Sequence, residues 1–348
     1  MIIEKDMPKL KIIEKNYRIL YLLFALTIIF LFRGSVSAGY ERVRFSETRI
    51  LMGTVVEVTV IYNNERFARK AIGDAFIAME RVDRLMSNFK EDSDISRINR
   101  AAGAEEVTVD NDVIEVIKKS LYYSEISDGA FDVTIGRVEE LYDFETGGKI
   151  PETDKFVDSI KGVGYKNISV NGNTVSLLKK GIKLDLGGIA KGYAIDKGIE
   201  AVNKNGIDDV LINAGGDIRA IGESENGQWK IGVLHPREKD KLMDTILLKN
   251  LSVATSGDYR KYFISGGKRY HHILDPVTGL PVEGVQSVTI IASLAVDADA
   301  LATAVFVMRK KKGMALIERL KDVEGIIVDS NGVISYSSGV KKHLMNSH

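Results

Sequence analysis

The strand patterns in this chain arrive as hairpins. Asp209 to Ile221 reads as strand, Gly215-Gly216, strand. Lys161 to Leu178 reads as two short strands joined by Asn171-Gly172, and Gly325–Val328 with Gly332–Tyr336 as a closing hairpin. Such short glycine-containing connections join antiparallel neighbours, because a parallel pair needs a crossover of about a dozen residues. Further strands are expected at Thr54–Tyr62, where β-branched residues alternate, and at Trp229–Leu234, Met243–Val253, Tyr270–Asp275 and Val288–Ala292. Apolar spacing of three and four (Phe67, Ile72, Phe76, Met79, Val82) predicts a helix over 65–86. Others are expected over Asp112–Ser127, with Asn111 as cap, within Leu184–Asn203 after a Gly-rich turn, and over Ala298–Met308. These elements mix without regular β-α-β alternation. The expected class is α+β, with antiparallel sheets flanked by helices.

Composition narrows the function. The 348 residues include 48 basic and 48 acidic side chains, which removes the charge argument for a nucleic-acid binder. There is no cysteine, which excludes disulfides, thiolate nucleophiles, zinc–thiolate sites, iron–sulfur clusters and a lipid anchor on cysteine. The 14 residues from Ile19 to Phe32 are almost wholly apolar and follow Lys9, Lys11, Lys15 and Arg18. That is short for a membrane span of about 20 residues. It fits the apolar region of a secretory signal, about 7–15 residues long. Val36-Ser37-Ala38 then supplies small residues for cleavage after Ala38. Residues 1–38 are therefore expected to be a signal peptide or N-terminal anchor. Residues 39–348 would form one exported domain, periplasmic or on the outer face of the cytoplasmic membrane.

Several short segments set polar residues beside glycines in apolar surroundings. Asp185-Leu-Gly-Gly-Ile-Ala-Lys191 leads into a helix, where Gly187 and Gly188 would let backbone amides approach an anion and Lys191 would add charge. The spacing is not that of a P-loop, and a surface turn with a solvated lysine fits equally. Asp299 and Thr303, four apart, share one helix face. As hard oxygen donors they suit Mg²⁺. Taken alone they also fit a helix-packing pair, with Asp297 the candidate cap. Of five histidines, His272, beside an Ile-Leu-Asp-Pro turn, is the best-placed neutral-pH base; a structural role in that turn is the alternative.

In order along the chain stand Met52-Gly53-Thr54, the 93–99 segment S-D-I-S-R-I-N, and D-G-A-F-D-V-T from Asp128. They are followed by D-L-G-G-I-A-K-G-Y-A-I-D from Asp185, N-A-G-G-D-I from Asn213 and T-S-G-D-Y from Thr255. H-H-I-L-D-P-V-T-G from His271 and D-A-L-A-T-A from Asp299 complete the set. Together, over about 47–340, they resemble the ApbE family of FAD:protein FMN transferases. That resemblance implies a T-fold-like core that binds FAD and Mg²⁺. It implies transfer of FMN through a phosphoester onto a Thr or Ser of an exported or membrane flavoprotein, such as Nqr- or Rnf-type subunits, with AMP released. By position, Met52, Phe89, Ala130, Phe131, Asp132, Asp185, Lys191 and Ile273 would bind FAD. Gly188, through its carbonyl, Asp299 and Thr303 would hold the metal, and His272 would take the hydroxyl proton. The family is commonly tethered through a lipidated cysteine, which this sequence lacks. A Mg²⁺-dependent FAD pyrophosphatase and a non-catalytic exported FAD carrier are the competing readings.

Overall fold

The computed structural model describes residues 42–144 and 148–345. The signal or anchor expected at 1–38 lies outside them. An eight-stranded sheet runs in the order β1 (Val43–Leu51), β2 (Thr54–Tyr62), β6 (Val210–Ala214), β7 (Asp217–Ile221), β10 (Leu251–Gly257), β13 (Val285–Ala292), β14 (Glu324–Asp329) and β15 (Ile334–Tyr336). Every neighbouring pair is antiparallel. Three small sheets accompany it. They are β3 (Val107–Thr108) with β4 (Ile168–Asn171) and β5 (Thr174–Leu177), the hairpin β8 (Trp229–Leu234)–β9 (Leu242–Leu248), and the hairpin β11 (Tyr262–Ser265)–β12 (Lys268–His271). The helices are α1 (Glu65–Met86), α2 (Asp94–Arg100), α3 (Asn111–Ile126), α4 (Gly136–Glu139), α5 (Thr153–Ile160), α6 (Ala190–Lys204) and α7 (Ala295–Arg319). The α+β class with antiparallel sheets is thus the observed one.

The period-2 alternation of the strands sorts side chains to two cores. Val56, Val58 and Val60 of β2 and Val288 and Ile290 of β13 join the helices in the main core. Ile61, Ile218, Val253 and Ile291 point the other way, into a second core closed by Trp229, Ile246 and Leu248 of the β8–β9 hairpin. Covered on both faces, β13 is buried along its whole length.

Several local expectations are corrected. Phe67 is off the buried face of α1, which is filled instead by Ala68, Ala71, Ile72, Ala75, Phe76 and Met79. Helix α3 is capped by the carboxylate of Asp110, not by Asn111. Met243–Val253 is two strands, because Asn250 turns the chain with φ 57°. Strand β1 joins β2 through Met52-Gly53, with φ 53° and 69°, a left-handed pair that suits a two-residue hairpin.

Helices α6 and α7 carry parts of two of the motifs, those from Asp185 and from Asp299, and cap each other. The first turn of a helix leaves amides without intrahelical partners. At α7 those of Ala295 and Val296 donate to Asp196 of α6, at 2.9 and 3.0 Å. At α6 the amide of Gly192 donates to Asp299 of α7 at 3.0 Å. Asp297, the expected cap, is instead paired with Lys119 at 3.0 Å. The approach is close: a Cβ on Gly192 would collide with the Ala295 carbonyl and lie 2.7 Å from Val296 Cα. Gly192→Ala must therefore push the helices apart. The expected loss is about 1–3 kcal/mol, read as a calorimetric Tm decrease of several degrees; an unchanged Tm would contradict this packing.

Candidate active site

The tight turns at one end of the large sheet meet the start of α6 and the first turns of α7. Gly215 and Gly216, both at positive φ, form the β6–β7 turn and set Asp217 at the head of β7. Lys191, in the first turn of α6, bridges Asp217 at 2.6 Å and Asp299 at 3.1 Å. Asp217 also accepts from the amide of Thr255 at 3.2 Å. Both carboxylates are nearly closed from solvent, with side-chain exposures of 6% and 5%. Burial works to lower the Lys191 pKa, but the two carboxylates outweigh it and hold the lysine above its ordinary value. Asp299 is raised to about 6, by burial and by Asp217, against the pull of Lys191.

Thr303, one turn beyond Asp299, lies 3.3 Å from the hydroxyl of Ser256 on β10. Gly188 is wedged beside it: a Cβ there would lie 3.2 Å from both Thr303 Oγ1 and the Phe131 ring. Thus Gly188, Asp299 and Thr303 converge, with Phe131 buried beneath. Among the described residues, no group of three or more His, Asp or Glu side chains meets in a metal-binding arrangement.

Asp185 accepts from Gly187 N and Asn88 Nδ2, both at 2.6 Å. The second bond anchors the loop that carries Phe89, which is 93% exposed. Asn99 fixes the same segment by exchanging two hydrogen bonds with the backbone of Leu184, at 2.7 and 3.0 Å. Burial, with Asp185 nearby, pushes Glu139 on α4 well above the ordinary carboxylate range. Asp132 turns inward: its oxygens accept from the amide and hydroxyl of Thr134 and from the amide of Tyr165. Ala130 and Met52 are partly buried against the main core. Of the two glycine amides expected to approach an anion, that of Gly187 donates instead to Asp185.

His272 is held by the backbone of Lys261. Its amide donates to Lys261 O at 3.2 Å, and Nδ1 lies 3.3 Å from that same carbonyl. A carbonyl only accepts, so Nδ1 carries the proton and Nε2 is the basic nitrogen of the neutral ring. Burial lowers its pKa to about 4, helped by His271, Lys261 and Lys191. Ile273 is buried beside it, its amide 3.3 Å from His271 Nδ1. The sequence reading passed over Asp217, Ser256, Asn88 and Asn99 as individual site residues. Asp217, Ser256 and Asn99 stood inside quoted motifs; Asn88 had no signal beyond lying next to Phe89.

The family model described as the ApbE family matches residues 52–327. A FAD:protein FMN transferase from Treponema pallidum (strain Nichols) is 30% identical over 327 residues, 87% of this chain and 89% of that protein. One from Vibrio cholerae is 31% identical over 299 residues, 82% of this chain and 90% of that protein. Among solved structures, the ApbE protein of Thermotoga maritima superposes with TM-score 0.81 at 37% identity, covering 87% of this chain and 100% of the other. The flavin transferase ApbE from Vibrio cholerae gives TM-score 0.80 at 28% identity, with coverages of 87% and 100%.

The His272 shift sets a pH dependence. Its folded pKa, about 4, lies below the ordinary 6.5. Between those values the unfolded chain binds the proton and the folded chain does not, so stability falls as pH drops from 6.5 toward 4. Denaturation of wild type and His272→Gln across that range should show wild type losing ground progressively. A constant difference would refute the shift.

Proposed function

The chain belongs to the ApbE family, and from that premise we propose that it is a Mg²⁺-dependent FAD:protein FMN transferase. One observation carries the reading: the Lys191 cluster has two buried carboxylates for one lysine. A diphosphate entering such a site meets net negative charge unless a cation accompanies it. The donors fit Mg²⁺, which takes few protein oxygens and leaves positions for water and phosphate. Asp299, Thr303 and the carbonyl of Gly188 would hold it, on the ground that Gly188 has no room for a side chain beside Thr303. Bound there, the ion would neutralise charge developing on the diphosphate.

The chain's own groups then have distinct tasks. Asp217 and Lys191 keep the Asp299 carboxylate oriented. Asp185, steadied by Asn88 and Gly187, together with Phe131, Ala130 and Ile273, lines the side that takes FAD. Met52 and the exposed Phe89 offer apolar contact to its rings, and Asp132 acts by fixing the loop that presents Phe131. The acceptor hydroxyl attacks the phosphorus on the riboflavin side of the diphosphate. His272 Nε2 removes its proton, a phosphoester forms to FMN, and AMP leaves. The acceptor would be an exported or membrane flavoprotein, Nqr- or Rnf-type subunits being the class the family points to. The basic residues and the apolar run Ile19–Phe32, followed by the small residues Val36-Ser37-Ala38, support placing the enzyme on the outer side of the cytoplasmic membrane.

The test is incubation with FAD, Mg²⁺ and an acceptor with an exposed Thr, followed by mass spectrometry of the denatured acceptor. The expected result is a gain of FMN less water, with stoichiometric AMP, abolished in Asp299→Ala. An unmodified acceptor with free FMN and AMP would make the enzyme a pyrophosphatase. Bound FAD without AMP across several acceptors would make it a carrier.

A further inference from the structure

Helix α7 does not run straight. At Arg309 the backbone leaves the helical region, with φ 62° and ψ 176°. Glycine adopts that conformation freely, and other residues hold it only where their surroundings over-determine it. Arg309 stands six residues after Thr303 on the same element. Its side chain leaves α7 and reaches the segment that follows His272. Nε donates to the carbonyl of Glu283 at 3.0 Å, and Nη2 lies 3.4 Å from Asp275 Oδ2. Nη1 lies 3.4 Å from the carbonyl of Val307 on its own helix.

Those two contacts grip both limbs of one loop. Asp275 organises the outgoing limb, accepting from Val277 N through Oδ1 and from Thr278 and Gly279 N through its carbonyl. The returning limb rejoins the histidine strand through Val282 N to Ile273 O at 3.1 Å. The ion pair is no adequate reason for the backbone conformation. Arg309 is 49% exposed, and pairs so open to water add little to stability. A strained residue that returns little stability calls for another role.

Building on the transferase reading, we propose that Arg309 is a positioning residue: it ties the loop of His272 to the helix of Asp299 and Thr303, holding the base in register with the phosphate site. The backbone break aims the guanidinium, and the guanidinium fixes the loop.

Three variants separate the tether from the strain. Arg309→Gly removes the side chain and relieves the backbone, Arg309→Ala removes the side chain only, and Arg309→Lys keeps one donor group. Amide hydrogen exchange of residues 273–283, Tm, and kcat and KM for FAD are measured on each. Arg309→Gly should melt about 2–4 °C above Arg309→Ala. Both should exchange faster than wild type at Val277, Gly279 and Val282. Both should lose roughly 3- to 30-fold in kcat, with KM for FAD little changed and Arg309→Lys intermediate. Arg309→Gly more stable than Arg309→Ala, yet with a loop as loose and turnover as slow, is a combination that a purely structural role does not produce. Wild-type exchange in Arg309→Gly overturns the tether, whatever the activity. Faster exchange with wild-type kcat overturns its positioning role. If wild type transfers no FMN, the transferase reading falls and with it the catalytic part of this proposal, while the exchange result still decides the tether.

Discussion

Two helices that cap each other hold the site in register. Asp196 on α6 takes the first amides of α7, and Asp299 on α7 takes the amide of Gly192 on α6. Each carboxylate meets the positive end of the other helix dipole. A slide of either helix would break both sets of bonds, so axial position is fixed to within a hydrogen-bond length. Gly192 permits this, since any side chain there would strike Ala295. The chemistry inherits that precision. Lys191 is next to Gly192, Gly188 is three residues before Lys191, and Thr303 is one turn beyond Asp299. Fixing the two helices therefore fixes the lysine, the carboxylate, the hydroxyl and the glycine together.

The two buried carboxylates in this pairing have different surroundings, and the difference separates scaffold from site. Asp196 is matched, with Arg219 at 2.6 Å in addition to two amides. Asp299 shares Lys191 with Asp217, leaving one negative charge in excess. Removing a charge from water is costly unless it is paired. An unmatched one persists where something else completes it or where its position is fixed by neighbours, and a divalent cation arriving with a phosphate meets that requirement. Burial first, and then that excess, raises Asp299 to about 6 despite the adjacent lysine.

Much of this was legible before any coordinates. Glycine pairs in Asp209–Ile221 and at Asn171-Gly172 specify antiparallel neighbours locally, so the class follows from a few residues. The Asp299/Thr303 pair was readable because helical period is a property of the sequence alone. Long-range capping was not. Asp297 would cap a helix that began at Ala298, but α7 begins at Ala295, and Asp196, distant in sequence, supplies the acceptors while Asp297 turns to Lys119. Asp217 was passed over for a related reason: its partners come from α6 and β10, and nothing within N-A-G-G-D marks which carboxylate will be buried. Strand β1 was missed because its burial pattern is mostly open, which leaves little hydrophobic signal.

The two halves of the site share the main core, and the His272 side has a further support. Asp299, Thr303, Lys191 and Gly188 rest on the main core. The loop of His272 joins that core through Ile273 and Val282 and also rests on a smaller third core, where Val138, Tyr142 and Leu274 are the buried members. Stacked rings frame that core: Tyr142 on Phe144 at 5.2 Å and Phe263 on Tyr270 at 5.2 Å. Tyr142 also donates to the carbonyl of Gly279 at 3.0 Å. A diphosphate is a small, fixed charge distribution and is best met by a rigid surface. The loop of His272 is built into that same surface, since Arg309 ties it to α7 through the Glu283 carbonyl and the Asp275 carboxylate.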